Sequence, residues 1–256
     1  MGTFYNPNHS LISHLSRDLV FAVDYGNPKC LTNSLKGAPI DAGPNGIAFT
    51  DVGTSSLGHA RTGNGGISYT RYRDDTLQKH DYSNGFSVVA ICSVDKSGSN
   101  MFQDGAIIGS GDTTASEFFN FALQRVSPNF LLWHRITNAA GTGTVYTQSD
   151  YTGGQFPETA DDEIFMVGYT HSISSLTFYA HGLPISTKTV SSSINTTYPS
   201  FPGNKSYATV NGHGWQLGAS RWHVDGKIFM AYAYKRPLTD ADHLSFFNTF
   251  KNRYNL

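Results

Sequence analysis

Side chains able to do acid-base chemistry are thinly spread along this sequence. Glu117, Glu158 and Glu163 are its three glutamates. Cleaving a glycosidic bond takes two carboxyl groups held about 5 to 10 Å apart across the sugar. The densest acidic runs, Asp161-Asp162-Glu163 and Asp74-Asp75, read as solvated turns, the first at the entrance of a strand. A calcium site needs six to eight oxygens. Asp104, Asp112, Asp150, Asp161 and Asp162 have no local spacing that assembles one and read as turn residues, so no cofactor is expected and a loop calcium site is left open. Of the ten histidines, His213, His223 and His243 lack the i, i+4 pairing of a zinc protease. His134, His171 and His181 alternate with aromatics on strand-like runs and read as structural. No Gly-x-Ser-x-Gly nucleophile turn occurs. These patterns lead to the expectation of no catalytic residues and no metal.

Binding chemistry is better supplied. Sugars are held by aromatic rings on their apolar faces and by amides or carboxylates on their hydroxyls. Tyr146, Tyr151, Tyr198, Trp215 and Trp222 stand near stretches rich in Asn, Ser and Thr, and these five are the candidate carbohydrate- or partner-binding residues. Trp222, in the segment Ser220 to Asp225, is either a sugar platform or a subunit contact. Trp133 alternates with Leu131 and reads as core.

The elements that would position these residues are strands. Leu19 to Tyr25 is an apolar strand ended by Asn27-Pro28. Shorter strands are expected at Gly46 to Thr50 and Ile67 to Arg71, flanking a Gly/Ser/Thr-rich loop over Asp51 to Gly66. Phe86 to Val94 is apolar on both faces, as for a strand covered on both sides. Strands follow at Ala106 to Gly109, Phe118 to Arg125, Phe130 to Ile136, Glu163 to Thr170 and Ser175 to His181. His181-Gly182 reads as a tight turn, since both types tolerate positive φ. Near the end, a strand over Trp215 to Ser220 is expected to turn at Asp225-Gly226 into a strand over Lys227 to Tyr234. A closing helix is capped by Thr239, with Asp242 completing a capping box and Leu244, Phe247, Phe250 and Tyr254 on one face. The predicted intersheet residues are Phe21, Val23, Phe86, Val88, Phe229 and Ala231, with the inward parity left open.

Composition agrees with strands and turns. Glycine occurs 26 times, aromatics make up 13% and charged residues 14%. A length of 256 residues suits one undivided sandwich, read as residues 16–256 behind an N-terminal arm, residues 1–15. In that arm Phe4, Tyr5 and Pro7 lie amid polar residues and are expected to order against a neighbouring subunit. The net charge of −1 provides no footprint for nucleic acid. No signal-like N-terminus and no apolar run of membrane-spanning length occurs, so no membrane insertion and cytosolic synthesis are expected. Cys30 and Cys92 read as buried thiols, and the sequons at Asn8, Asn195 and Asn204 as loop sequence.

The C-terminal run of Gly214 to Tyr254, with its Asp-Gly-Lys-Ile and Arg-Pro-Leu-Thr segments, resembles the ending of concanavalin A-like domains of the laminin-G/pentraxin type. His181-Gly182-Leu183-Pro184-Ile185 is similar to their Asn-Gly hairpin, with histidine in place of asparagine. Leu19 to Lys29 resembles the opening strand of such domains in phage virion proteins, and Asn84 to Ala90 is similar to their Gly-Asp-Phe-Thr strand. The resemblance implies a concanavalin A-like jelly-roll β-sandwich of two antiparallel sheets with a short C-terminal helix. Hydrolases of this fold carry Glu-x-Asp-x-(x)-Glu on one strand, a run missing here. What the resemblance implies is therefore a non-enzymatic phage virion surface protein made in the host cytoplasm. Its partners would be other capsid or tail proteins, with a surface glycan and self-association into a dimer or trimer as further expectations. A capsid decoration role is the first expectation, a tail-associated glycan-binding lectin the second.

Overall fold

A computed structural model describes residues 15, 17–25, 50–52, 61–64, 69–73, 84–94, 105–111, 117–126, 129–137, 144–148, 155–157, 163–189, 207–210 and 225–256. Its strands are β1 (Leu19–Asp24), β2 (Thr50–Val52), β3 (Arg61–Asn64), β4 (Tyr69–Arg73), β5 (Phe86–Val94), β6 (Gly105–Gly111), β7 (Glu117–Val126) and β8 (Asn129–Thr137). They continue as β9 (Thr144–Gln148), β10 (Gln155–Pro157), β11 (Ile164–His171), β12 (Ser175–Ala180), β13 (Leu183–Thr189), β14 (Tyr207–Val210) and β15 (Asp225–Tyr234), and the chain closes with helix α1 (Asp240–Tyr254).

The strands form two antiparallel sheets. The inner sheet has seven strands in the order β1-β15-β5-β11-β12-β13, with β3 also on β15. The outer sheet has eight, in the order β10-β8-β7-β6-β14-β4-β2, with β9 also on β8. Between them lies a core of Val23, Phe86, Val88, Tyr169, Phe178 and Ala231 from the inner sheet and Ile108, Phe121 and Leu132 from the outer one. Phe121 and Tyr169 bridge the sheets with ring centroids 5.0 Å apart.

The inner sheet is covered on its second face too. Val89, Ile91, Met166, Met230 and Tyr232 pack there with Phe246, Phe250 and Tyr254 of α1. Coverage on both faces is why every residue of β5 is buried, as its unbroken apolar run requires. Leu15, the last residue of the expected arm, is buried in this helix-side cluster.

Turn chemistry fixes the joints. His181 and Gly182 adopt φ of 49° and 79°, the paired positive values of a type I′ turn, and join β12 to β13. The turn is docked on α1: a Cβ on Gly182 would lie 2.8 Å from Cβ of Phe247. The helix begins with the capping box, Thr239 and Asp242 each accepting from the other's backbone N–H at 3.1 and 2.9 Å.

Several sequence expectations are corrected. Asp225-Gly226 is not a hairpin loop. Both residues belong to β15 and pair with Asn64 and Gly63 of β3. Gly226, at φ 145°, is glycine because a Cβ there would run into the Ser93 carbonyl of β5. The expected loop over Asp51 to Gly66 contains β3 and part of β2, since pairing with β15 and β4 supplies their hydrogen bonds despite the turn-rich composition around them. Phe229 sits at a register shift between Ile228 and Met230 and packs against Tyr254 on the helix side, with ring centroids 5.4 Å apart, not between the sheets. In α1 the buried face is His243, Phe246, Phe250 and Tyr254, whereas Leu244 is exposed. The expected strand over Trp215 to Ser220, the side chain of Phe21, Cys30, the acid pair Asp74-Asp75 and the sequons lie outside the described residues. No described helix is long and apolar enough to cross a membrane.

Candidate ligand-binding face

The outer sheet has one face in the core and one turned away from it. Along β7, Phe121 and Leu123 are core residues, so Asn120, Ala122 and Gln124 occupy the alternate register positions. Pairing carries that parity across the sheet. Asn120 is opposite Arg135 of β8, which is opposite Tyr146 of β9. In the other direction Asn120 is opposite Gly109 of β6, Gly109 opposite Thr209 of β14, Thr209 opposite Arg71 of β4, and Arg71 opposite Thr50 of β2. Six interstrand steps make this row about 29 Å long at the usual spacing of about 4.8 Å.

Neighbouring positions on the same face continue the pattern. Trp133 is paired with Ala122 and Gln148, and Arg73 with Tyr207. Trp133, Tyr146, Tyr207, Asn120, Gln148, Arg71, Arg73 and Arg135 thus hold register positions of one parity, with Gly109 and Gly111 in the middle strand. Aromatic faces take the C–H surface of a sugar, and amides and guanidinium groups bond to its oxygens. Trp133, read as core, holds a register position on the face opposite that of Leu132, which is fully buried, and its side chain lies outside the described residues.

Of the sequence candidates, Tyr146 falls on this face, at the edge strand β9. Tyr151 belongs to the segment between β9 and β10, both of which lie along the free side of β8. Tyr151 itself, Tyr198, Trp215 and Trp222 lie outside the described residues, as do Phe4, Tyr5 and Pro7 and the aspartates Asp104, Asp112, Asp150, Asp161 and Asp162. Glu163 is exposed just before β11. The sequence reading missed Asn120, Arg135, Arg71 and Arg73. For Asn120 the signal was present in the alternation of β7, Phe-Asn-Phe-Ala-Leu-Gln; the run Phe-Leu-Leu-Trp-His-Arg of β8 does not alternate and marks no face. What the sequence did not provide was the partner strands.

A second cluster combines hydroxyls with a histidine but is not arranged for catalysis. Thr170 Oγ1 donates to the Leu238 carbonyl at 2.9 Å, and Ser87 Oγ donates to the Arg236 carbonyl at 2.9 Å while accepting from Leu238 N–H at 2.8 Å. With both hydroxyl protons committed, His243 Nε2–H donates to Thr170 Oγ1 at 2.9 Å. Its ring stacks on Tyr179 at 3.6 Å, and Nδ1 has no hydrogen-bond partner. Burial pushes the His243 pKa down to about 3, so it is a neutral donor at ordinary pH. A nucleophile would need the reverse, a free hydroxyl facing a basic ring nitrogen held by an acid. The cluster instead ties β5 and β11 to the segment leading into α1. At the other end of the helix, Arg253 grips the buried Asp24 carboxylate with two hydrogen bonds of 2.8 and 2.9 Å. Among the described residues no group of three or more His, Cys, Asp or Glu is placed to hold a metal. Cys92 is a buried free thiol, its pKa raised by burial.

No protein-family model matches the sequence, and no curated protein matches it. Solved structures match by shape. The receptor binding domain of botulinum neurotoxin C/D mosaic serotype superposes with a TM-score of 0.57 at 10% identity, over 91% of this chain and 52% of that one. The binding domain of botulinum neurotoxin DC, solved in complex with rat synaptotagmin II, gives 0.56 at 13% identity over 91% and 52%. Trypanosoma rangeli sialidase in complex with sialic acid gives 0.55 at 11% identity over 90% and 32%. The chain is a concanavalin A-like jelly-roll sandwich. It spans about half the length of the matched toxin chains and about a third of the sialidase. Identity this low carries the fold and nothing finer.

Proposed function

We propose that this chain is a non-enzymatic carbohydrate-binding module and that it binds through the outward face of the outer sheet. The observation that carries the reading is the row Tyr146–Arg135–Asn120–Gly109–Thr209–Arg71–Thr50, with Trp133 beside it. Tyrosine, tryptophan, asparagine and arginine recur at register positions of one parity along a row long enough for several sugar units. Shape neighbours that include a toxin receptor binding domain and a sialidase in complex with sialic acid support a binding role. The setting is read from the resemblance of Leu19 to Lys29 to phage virion domains: a particle surface, as capsid decoration or as part of the tail.

The test is titration of the purified chain against immobilised polysaccharides. Trp133→Ala and Tyr146→Ala are each expected to weaken binding about tenfold or more, the loss usual for a central aromatic anchor, with unchanged melting temperatures. Binding by the parent chain that survives both substitutions would move the site elsewhere. Hydrolysis of any of these polymers would overturn the non-enzymatic reading.

A further inference from the structure

Helix α1 is held to the inner sheet by two kinds of contact. Along its C-terminal half the contact is made by rings, Phe246, Phe250 and Tyr254 against Tyr232 and one another, with the Arg253–Asp24 ion pair at its end. The first turn is held by polar groups. In the stretch Asp240 to His243, Asp240 accepts from Tyr179 Oη at 2.8 Å, Asp242 pairs with Arg236 at 2.8 Å, and His243 bonds to Thr170 Oγ1 at 2.9 Å.

His243 is the group that acid turns against this contact. Its buried ring stacks on Tyr179 of β12 and lies over Gly168 of β11, where a Cβ would come within 3.0 Å of it. Nδ1 has no hydrogen-bond partner, so a proton added there makes a buried imidazolium with no acceptor. The neighbouring charges do not compensate. Asp242 favours the cation and Arg236 opposes it, and those two are paired with each other. Tyr179 is a neutral phenol whose proton is already given to Asp240. At the β12–β13 turn, His181 meets Phe247 edge-on, and burial lowers its pKa against the pull of Glu163. His171, at the end of β11, shares the parity of Tyr169 and the core, so its protonation burdens the sandwich and not the helix contact.

We propose that α1 is an acid-released strap: as pH falls it lifts from the inner sheet while the two-sheet sandwich stays closed, uncovering the apolar face of Val89, Ile91, Met166 and Met230. Burial holds the docked His243 near 3, whereas a histidine in water titrates near 6.5. Between those values the undocked state takes up the proton, so each pH unit below 6.5 raises its population by up to about tenfold. A released helix of 15 residues is marginal in water, so its amides then exchange.

Hydrogen exchange of the full chain, followed by mass spectrometry from pH 6.5 to 4.5 and corrected for intrinsic rates, tests this. Protection of α1 is expected to fall by up to about a hundredfold over that range and to stay below that of β5 throughout. His243→Gln keeps a donor for Thr170 and gains no proton, and is expected to cut the fall to about tenfold or less. Phe250→Ala loosens the ring contact but leaves the titrating group, so it should lower α1 protection at every pH with the slope kept. If α1 and β5 lose protection together, the helix leaves only with the sandwich and the proposal is overturned. An α1 protection indifferent to pH, or a parent-like slope in His243→Gln, would overturn it as well. Should that variant fail to fold, the comparison of α1 with β5 in the parent chain still decides.

Discussion

His243 is polar, fully buried and spends its one proton on Thr170 Oγ1, so it resists charging. Its pKa falls to about 3 and that of His171 to about 4, both through burial. An unfolded histidine titrates near 6.5, so between those values the unfolded chain binds more protons than the folded one, and stability rises with pH. The contribution is complete above about pH 6.5 and is lost as pH falls toward 4 and then 3, by at most about 1.4 kcal/mol per pH unit for each histidine. Thermal melts across pH 4 to 7 are expected to show this decline. His243→Gln keeps a donor for Thr170 but cannot titrate, so its profile should be flatter; a slope as steep as the parent's would show that His243 charges freely in the folded state. The sequence said of His243 only that it lacks the pairing of a zinc protease. It did not reveal the hydroxyl relay, because Ser87 and Thr170 stand 83 residues apart and meet only through β5–β11 pairing.

Helix α1 shows what an element's own sequence specifies. Thr239 and Asp242 are local, and the capping box read from them is present. Burial of Asp242 disfavours its charge, yet the Arg236 hydrogen bond, with those from Thr239, holds its carboxyl below the usual range. The helix has apolar residues at more than one angular position, so spacing alone admits two faces. The sheet chose Phe246, Phe250 and Tyr254, which stack on Tyr232 and on one another, and left Leu244 at the surface. Chemical denaturation should therefore rank three variants: Phe250→Ala losing about 3 to 5 kcal/mol, Thr239→Ala about 1 kcal/mol, and Leu244→Ala close to nothing. A Leu244 loss as large as that of Phe250 would contradict this docking.

Among the described residues, helix, inner sheet, core and outer sheet form successive layers, so of the described faces that of the outer sheet away from the core is covered by neither the core nor α1. A virion surface role predicts that mass spectrometry of purified particles will find this chain at a fixed ratio to the major capsid protein. A simple fraction of the capsid lattice would mark head decoration, and a few copies per particle the tail, while absence would refute a virion role. Any truncation that probes the N-terminal arm should spare Leu15, whose burial in the helix-side cluster makes it part of the folded body.

The sequence by itself determined the elements whose causes are local: the doubly apolar β5, the positive-φ turn at His181-Gly182 and the capped helix. It also determined the class of fold, since scarce glutamate, abundant glycine and period-two strands leave few other architectures. Tertiary structure decided what depends on partners far along the chain. It made Asp225-Gly226 part of a strand because β3 and β5 flank it, moved Phe229 to the helix side through a register shift, and gave Trp133 a register position of the parity opposite to that of the core. It also assembled Arg71, Asn120, Arg135 and Tyr146 into one row. Alternation tells which residues of a strand share a face; only pairing tells which faces of different strands are the same surface.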